Sequence, residues 1–160
     1  MTIDERSERN LATLHPEVQP RLRAFIKAAK ALAVSRSLDV RIISGTRSYA
    51  EQDALYAKGR TAPGPKVTNA SAGYSLHNFG LSADIGIFSA DGKKYYDDHA
   101  LYRELGPLGE SLGLEWGGRW KTIVDEPHYQ FRPGWATGYT EREMLAALRD
   151  RVSKKLDILA

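Results

Sequence analysis

Residues 75–88 read SLHNFGLSADIGIF. The segment SADIGIF, 82–88, is short, apolar and rich in small residues, the pattern of a buried strand. It is entered through Gly80 from a polar stretch. His77 stands on one side of that glycine and Asp84 on the other. An imidazole and a carboxylate at the mouth of a buried strand need a reason, and the rest of the chain is organised around them.

Upstream, GRTAPGPKVTNASAGYS (59–75) is dense in Gly, Pro, Ser, Thr and Asn and reads as a long loop. Loops of that length inside a folded domain are functional or disordered. Before it, Ser48 and Glu51 form a capping box that starts a helix at Ser48 and lets it run to about Gly59. DVRIIS, with Val40, Ile42 and Ile43, reads as a strand. Residues 16–36 place Val18, Leu22, Phe25, Ile26, Ala29, Leu32 and Ala33 at helical spacing.

Downstream, Asp91-Gly92 marks a hairpin turn into KKYY. ALYRELGPLGESLG puts Leu101, Leu105, Leu108 and Leu112 on one helical face. LEWGGRW and PHYQF read as short strands around a glycine-rich turn. Thr140 and Glu143 form a second capping box, opening a helix over about 140–157 with Leu145, Leu148 and Val152 facing inward. The expected fold is α+β: a small central antiparallel sheet flanked by helices. At 160 residues the chain reads as one domain, 1–160.

The composition, with 42% hydrophobic and 27% charged residues, is that of a soluble globular protein. A net charge of +3 and a pI near 9.1 favour an anionic partner such as a bacterial cell wall. No basic cluster is present, so no nucleic-acid partner is expected. There is no cysteine, which excludes disulfides, thiolate chemistry and thiolate metal sites. The N-terminus MTIDERSERN lacks the apolar centre of a secretory signal, and no apolar run reaches the roughly 18 residues of a membrane span. Synthesis in the cytoplasm, without a membrane anchor, is the expectation.

Of the four histidines, His15 precedes a proline at a helix entrance and His99 lies in the charged run DDHA. Both read as structural or solvated. His77 and His128 differ, since each sits beside a strand with a carboxylate near it. Two histidines and one carboxylate form a recurring open zinc site, in which a further carboxylate takes a proton from water. Asp125 and Glu126 both stand close enough to His128 for that task. Spacing alone equally allows unrelated polar residues at strand ends, and no H-E-x-x-H helix is present.

The motifs carry a resemblance. SLHNFGLSAD resembles the S-x-H-x-x-G-x-A-x-D motif of D-Ala-D-Ala carboxypeptidase and dipeptidase metallopeptidases, SGTRSYAEQDALY their S-G-x-R-S-x-x-x-Q block, and DEPHYQ their acid-x-x-His motif. YAKGRTAPGPKVTNASAGYSLHNFGLSADIGIF is most similar to the L-alanyl-D-glutamate peptidase branch, which includes many phage endolysins. The resemblance covers about residues 11–131, the expected peptidase core. It implies zinc at the sheet edge, held by His77, Asp84 and His128. It implies Asp125 as catalytic base, with Glu126 as the alternative, and Arg47 as the group that steadies the oxyanion. Ser75, Gln52, Trp116 and Tyr129 are the expected substrate-binding residues, with Trp120 a further candidate for the cleft; the alternatives are that Ser75 orients the loop, that Gln52 ties its helix to its surroundings and that the aromatics pack beside the Gly-Gly turn. Where the motif has alanine, this chain has Ser82. If buried, its hydroxyl needs a partner.

The activity implied is zinc-dependent hydrolysis of the L-Ala–D-Glu bond in peptidoglycan stem peptides, in the service of bacterial cell lysis. A separate membrane-disrupting lysis protein would be needed to reach the wall. The alternatives are D-Ala-D-Ala carboxypeptidase or dipeptidase activity, and a zinc-containing cell-wall-binding module without catalysis.

Overall fold

The first helix, α1 (Glu5–Ala12), lies outside the expected elements, and its attachment explains why. Asp4 caps it, accepting from the Ser7 backbone N–H at 3.0 Å and from the Ser7 hydroxyl at 2.6 Å. Ser7 Oγ accepts in turn from the Ile42 N–H at 2.8 Å, and Asn10 Nδ2 donates to the Ile42 carbonyl at 2.7 Å. The helix therefore covers the free edge of a strand through polar side chains, which leaves little apolar periodicity to read. Lys30, buried, reinforces the junction by bridging Asp4 and Asp39, each at 2.8 Å.

The computed structural model describes residues 2–160. After α1 come α2 (Gln19–Val34), β1 (Leu38–Ser44), α3 (Tyr49–Ala57), β2 (Ser82–Ser89), β3 (Tyr95–Tyr96), α4 (His99–Ser111), β4 (Glu115–Trp116), β5 (His128–Gln130) and α5 (Glu141–Ser153). The strands form one antiparallel sheet in the order β1-β2-β5-β4. β3 pairs with the far end of β2, as the Asp91-Gly92 hairpin requires. The α+β architecture with a small antiparallel sheet is as expected.

Register decides the two faces of the sheet. Ala83 pairs with Tyr129, and Tyr129 with Trp116, so these three share one face. That face lies under α2 and α4. Phe25 of α2 stacks on Tyr129 with ring centroids 4.4 Å apart. Gly106 and Gly109 of α4 leave room for the Trp116 and Tyr129 rings, where a β-carbon would collide. Asp84 pairs with His128, and Gln130 with both Ser82 and Glu115, so the polar residues gather on the opposite face.

Both capping boxes are present in full, at Ser48/Glu51 and Thr140/Glu143. α5 is shorter than expected, ending at Ser153 rather than about 157. Lys155 adopts φ +56° while the Lys155 and Leu156 N–H groups bond back to the Val152 and Arg151 carbonyls. That is a Schellman stop built without glycine. Val152 is 44% exposed rather than inward-facing; Met144, Leu145 and Leu148 form the buried side. No helix among the described residues is long and apolar enough to cross a membrane.

Candidate metal centre and active site

His77 lies in a 3-10 turn, Leu76–Phe79, which the Ser75 hydroxyl caps by accepting from the His77 N–H at 3.2 Å. Gly80 ends the turn at φ +72°, where a side chain would be strained and its β-carbon would lie 2.7 Å from the His15 nitrogen. The turn is fastened to the end of β1. The His77 carbonyl accepts from the Arg47 N–H at 2.9 Å, and the His77 ring meets the Gly45 carbonyl through Nδ1 at 2.8 Å.

The outer face of Nδ1 is thus used, and Nε2 points at Asp84 Oδ2, 3.2 Å away. Asp84 and His128 are directly opposite in the sheet, and His128 Nδ1 lies 3.1 Å from Asp84 Oδ1. One donor atom from each of the three residues falls within 4.8 Å of the others. The Gly45 carbonyl can only accept, so His77 carries a proton on Nδ1 and Nε2 is the nitrogen left to ligate. Ligand nitrogens held from behind by an acceptor, converging with a carboxylate, form a donor set that can bind a metal ion.

Electrostatics agree. Burial alone would push the Asp84 carboxyl up, but the His128 and His77 rings beside it hold it well below the usual range. Burial opposes charge on His128 as well, yet Asp84 holds its pKa above the usual value. An ionised carboxylate thus lies between two imidazole nitrogens at the point where a cation would sit.

A cavity of about 300 Å³ opens over the triad, and Arg47, Ser75, Trp120 and Asp125 line it beside those three residues. Burial, reinforced by the negative charge of Asp84, raises the Asp125 pKa. Burial lowers that of Arg47, against the opposing pull of Asp84 and Glu51. Arg47 Nε is buried without a partner, and Arg47 makes no ion pair among the described residues. Its charge is left for something else in the cavity.

The structure separates the remaining expected residues. Glu126 does not face the cavity; it bonds to His99 Nδ1 at 2.6 Å and Arg103 Nε at 2.8 Å, both on α4. Tyr129 is fully buried and Trp116 nearly so, on the helix-covered face, so neither lines this cavity. Strand alternation is the reason: His128 and Gln130 point to the site and Tyr129 between them points away. Gln52 is buried too, tying α3 to the loop by donating to the Ala70 carbonyl at 2.8 Å. Ser75 remains at the cavity wall. Ser82 is buried and its hydroxyl has no hydrogen-bond partner.

Sequence reasoning missed Glu141 and Leu145, which wall the cavity from α5. The helix reads as an ordinary amphipathic element, and nothing in its pattern announces a cleft. Arg149 fastens α5 to the loop, donating to the Gly73 carbonyl at 3.0 Å and lying 3.9 Å over the Tyr74 ring.

Residues 68–131 match the family model described as D-alanyl-D-alanine carboxypeptidase. Over 125 residues the chain is 37% identical to the peptidoglycan L-alanyl-D-glutamate endopeptidase CwlK of Bacillus subtilis (strain 168), a match spanning 73% of this chain and 75% of CwlK. The fold superposes on the L-Ala D-Glu endopeptidase ChiX of Serratia marcescens with a TM-score of 0.56 and 25% identity, over 84% of this chain and 90% of ChiX. It also superposes on the vancomycin-resistance D,D-pentapeptidase VanY, solved with Zn(II), with a TM-score of 0.51 and 19% identity, over 81% and 78% of the two chains. Fold, site and kinship define a metallopeptidase. The chain belongs to the D-alanyl-D-alanine carboxypeptidase family.

Proposed function

We propose that this protein is a zinc-dependent endopeptidase that hydrolyses the L-Ala–D-Glu bond of peptidoglycan stem peptides. The observation that carries the reading is the shape of the site. The cavity holding the triad, Asp125 and Arg47 adjoins two further cavities at different walls. One shares Tyr74 and Asp125 with it and reaches Lys66 and Ile123; the other shares Trp120 and Glu141 and reaches Arg119 and Arg132. Such a cleft accommodates chain on both sides of a scissile bond, whereas a carboxypeptidase must close one end around a terminal carboxylate. The 37% identity to CwlK supports the same bond.

Zinc bound by His77, Asp84 and His128 would polarise the scissile carbonyl and make water a better nucleophile at neutral pH. Asp125 takes the proton from the attacking water and returns it to the leaving D-Glu amine. Its raised pKa brings it closer to neutrality and suits both halves of that transfer. Arg47 donates to the carbonyl oxygen as it gains negative charge, and its lack of an ion-pair partner keeps it available. A lytic, phage-borne role is the finer part of the proposal and rests on the similarity of residues 56–88 to the endolysin branch.

The test is mass spectrometry of products from purified peptidoglycan, with and without chelator. New L-Ala carboxyl termini on the glycan and new D-Glu amino termini on released peptides, lost with chelator and restored by zinc, are expected. Release of D-Ala alone would reassign the bond. Folded, zinc-loaded protein that cleaves nothing would leave a binding module.

A further inference from the structure

Behind His128 runs a chain of side chains whose hydrogen-bond sense is fixed at its far end. Arg132 Nε donates to Glu115 Oε2 at 2.8 Å. Arg132 is itself anchored by donating to the Ala136 and Tyr139 carbonyls at 3.0 and 2.9 Å. Glu115 Oε1 accepts from Gln130 Nε2 at 3.1 Å, and Gln130 Oε1 lies 2.7 Å from His128 Nε2.

Each link leaves the next one no choice. A guanidinium only donates and a carboxylate only accepts. Glu115 must therefore face the NH2 end of the Gln130 amide, which turns Oε1 towards His128. An amide oxygen only accepts, so His128 must carry its proton on Nε2. Nδ1, the nitrogen beside Asp84, is then the one left to ligate, and Asp84 Oδ1 at 3.1 Å competes for a proton there while no cation lies between them. A flipped amide would set Gln130 Oε1 against a carboxylate and would drive the proton to Nδ1. Gln130 is 1% exposed, so water cannot relieve that clash. Ser82, opposite Gln130 in the register, makes no hydrogen bond and offers the amide no competing partner.

We propose that Gln130, oriented by Glu115 and Arg132, is a positioning residue that locks His128 in the tautomer whose Nδ1 faces the metal site. The proposal builds on the reading of His128 as a ligand, and its first readout needs no metal. Long-range 15N–1H NMR of the full-length, metal-free chain carrying Asp84→Ala, which removes the acceptor facing Nδ1, reports which nitrogen is protonated at a pH where the ring is neutral, and the tautomers of the variants below are compared in that background. His128 is expected as the Nε2–H tautomer. Gln130→Met removes both hydrogen bonds, and Glu115→Gln keeps Gln130 but frees its amide to flip. Both are expected to give a mixture of tautomers.

Zinc affinity, measured by competition with a chelating dye, should weaken about 10–100-fold in each variant, as for other outer-layer partners of ligating histidines. Combining Gln130→Glu with Glu115→Gln restores an obligate acceptor behind His128 and a donor behind that, so affinity should recover; a merely structural role predicts no rescue. A ring protonated on Nδ1 in the Asp84→Ala chain, or a Gln130→Met chain with wild-type zinc affinity, overturns the proposal. Tautomers that behave as stated while wild type fails to bind zinc would fault the metal assignment and leave the lock standing.

Discussion

Asp125 and Glu126 are consecutive, yet their carboxylates serve different sides of the sheet: the first lines the metal-side cavity and the second is held by His99 and Arg103 of α4. Pro127 separates both from β5, so strand alternation begins only at His128. Asp125→Asn is therefore expected to lower kcat by about 10²–10⁴-fold with zinc retained. Glu126→Gln should leave kcat within about twofold and cost only a little melting temperature. Steady-state kinetics on a synthetic stem peptide decide this, and equal losses in both variants would remove Asp125 from its role.

Arg47 presents a charge without a protein partner to the cavity. A group used only as the carbonyl becomes an oxyanion affects kcat more than KM. Arg47→Ala is expected to lose about 10²–10³-fold in kcat, with KM changed by much less. A change confined to KM would make Arg47 a ground-state binding residue instead.

Ser82 carries a buried hydroxyl that bonds to nothing. An unsatisfied buried hydroxyl costs about 1–3 kcal/mol. Ser82→Ala should therefore stabilise the fold, raising the melting temperature by about 2–4 °C per kcal/mol for a chain of this size. Activity should be unchanged. A melting temperature that falls would show that the hydroxyl is satisfied.

The His128–Asp84 pair gives the metal-free protein a pH signature. Although burial opposes its charge, His128 has a raised pKa, so its contribution is present at acid pH and lost as pH rises through that value. Asp84 has the opposite sign: despite burial its pKa is depressed, and its contribution is lost as pH falls through it. Melting temperature should therefore decline on both flanks of a mildly acidic range. Zinc competes with the proton on the same nitrogen, so its affinity should weaken about tenfold per unit as pH falls below the raised His128 value. Thermal melts and zinc titrations over the same pH series check both limbs, and a flat metal-free profile would dissociate the pair.

The convergence of His77, Asp84 and His128 was legible because they lie in short motifs whose chemistry is demanding. A histidine, a turn-permitting glycine and a carboxylate set in one buried run are costly to keep unless all three serve a single centre. The capping boxes at Ser48 and Thr140 were legible because each is a local hydrogen-bond pattern, complete within four residues. Trp116 and Tyr129 were not, because aromatic side chains beside a site motif look like cleft walls until the register shows which way they point. The polar α1 escaped notice because it docks by hydrogen bonds to a strand edge rather than by an apolar stripe. The end of α5 was hidden by a lysine in a conformation usually left to glycine.

The three residues that could hold a metal belong to separate pieces of the chain: a turn fastened to β1, the body of β2, and the start of β5. An ion gripping all of them would be a removable rivet, released on global unfolding. At a free concentration one hundred times its dissociation constant, such an ion adds about 2.7 kcal/mol to stability. The melting curve thus becomes a gauge of metal occupancy, so a chain stripped by a wall polymer or a chelating neighbour would betray its loss as fragility before any assay of cleavage was run.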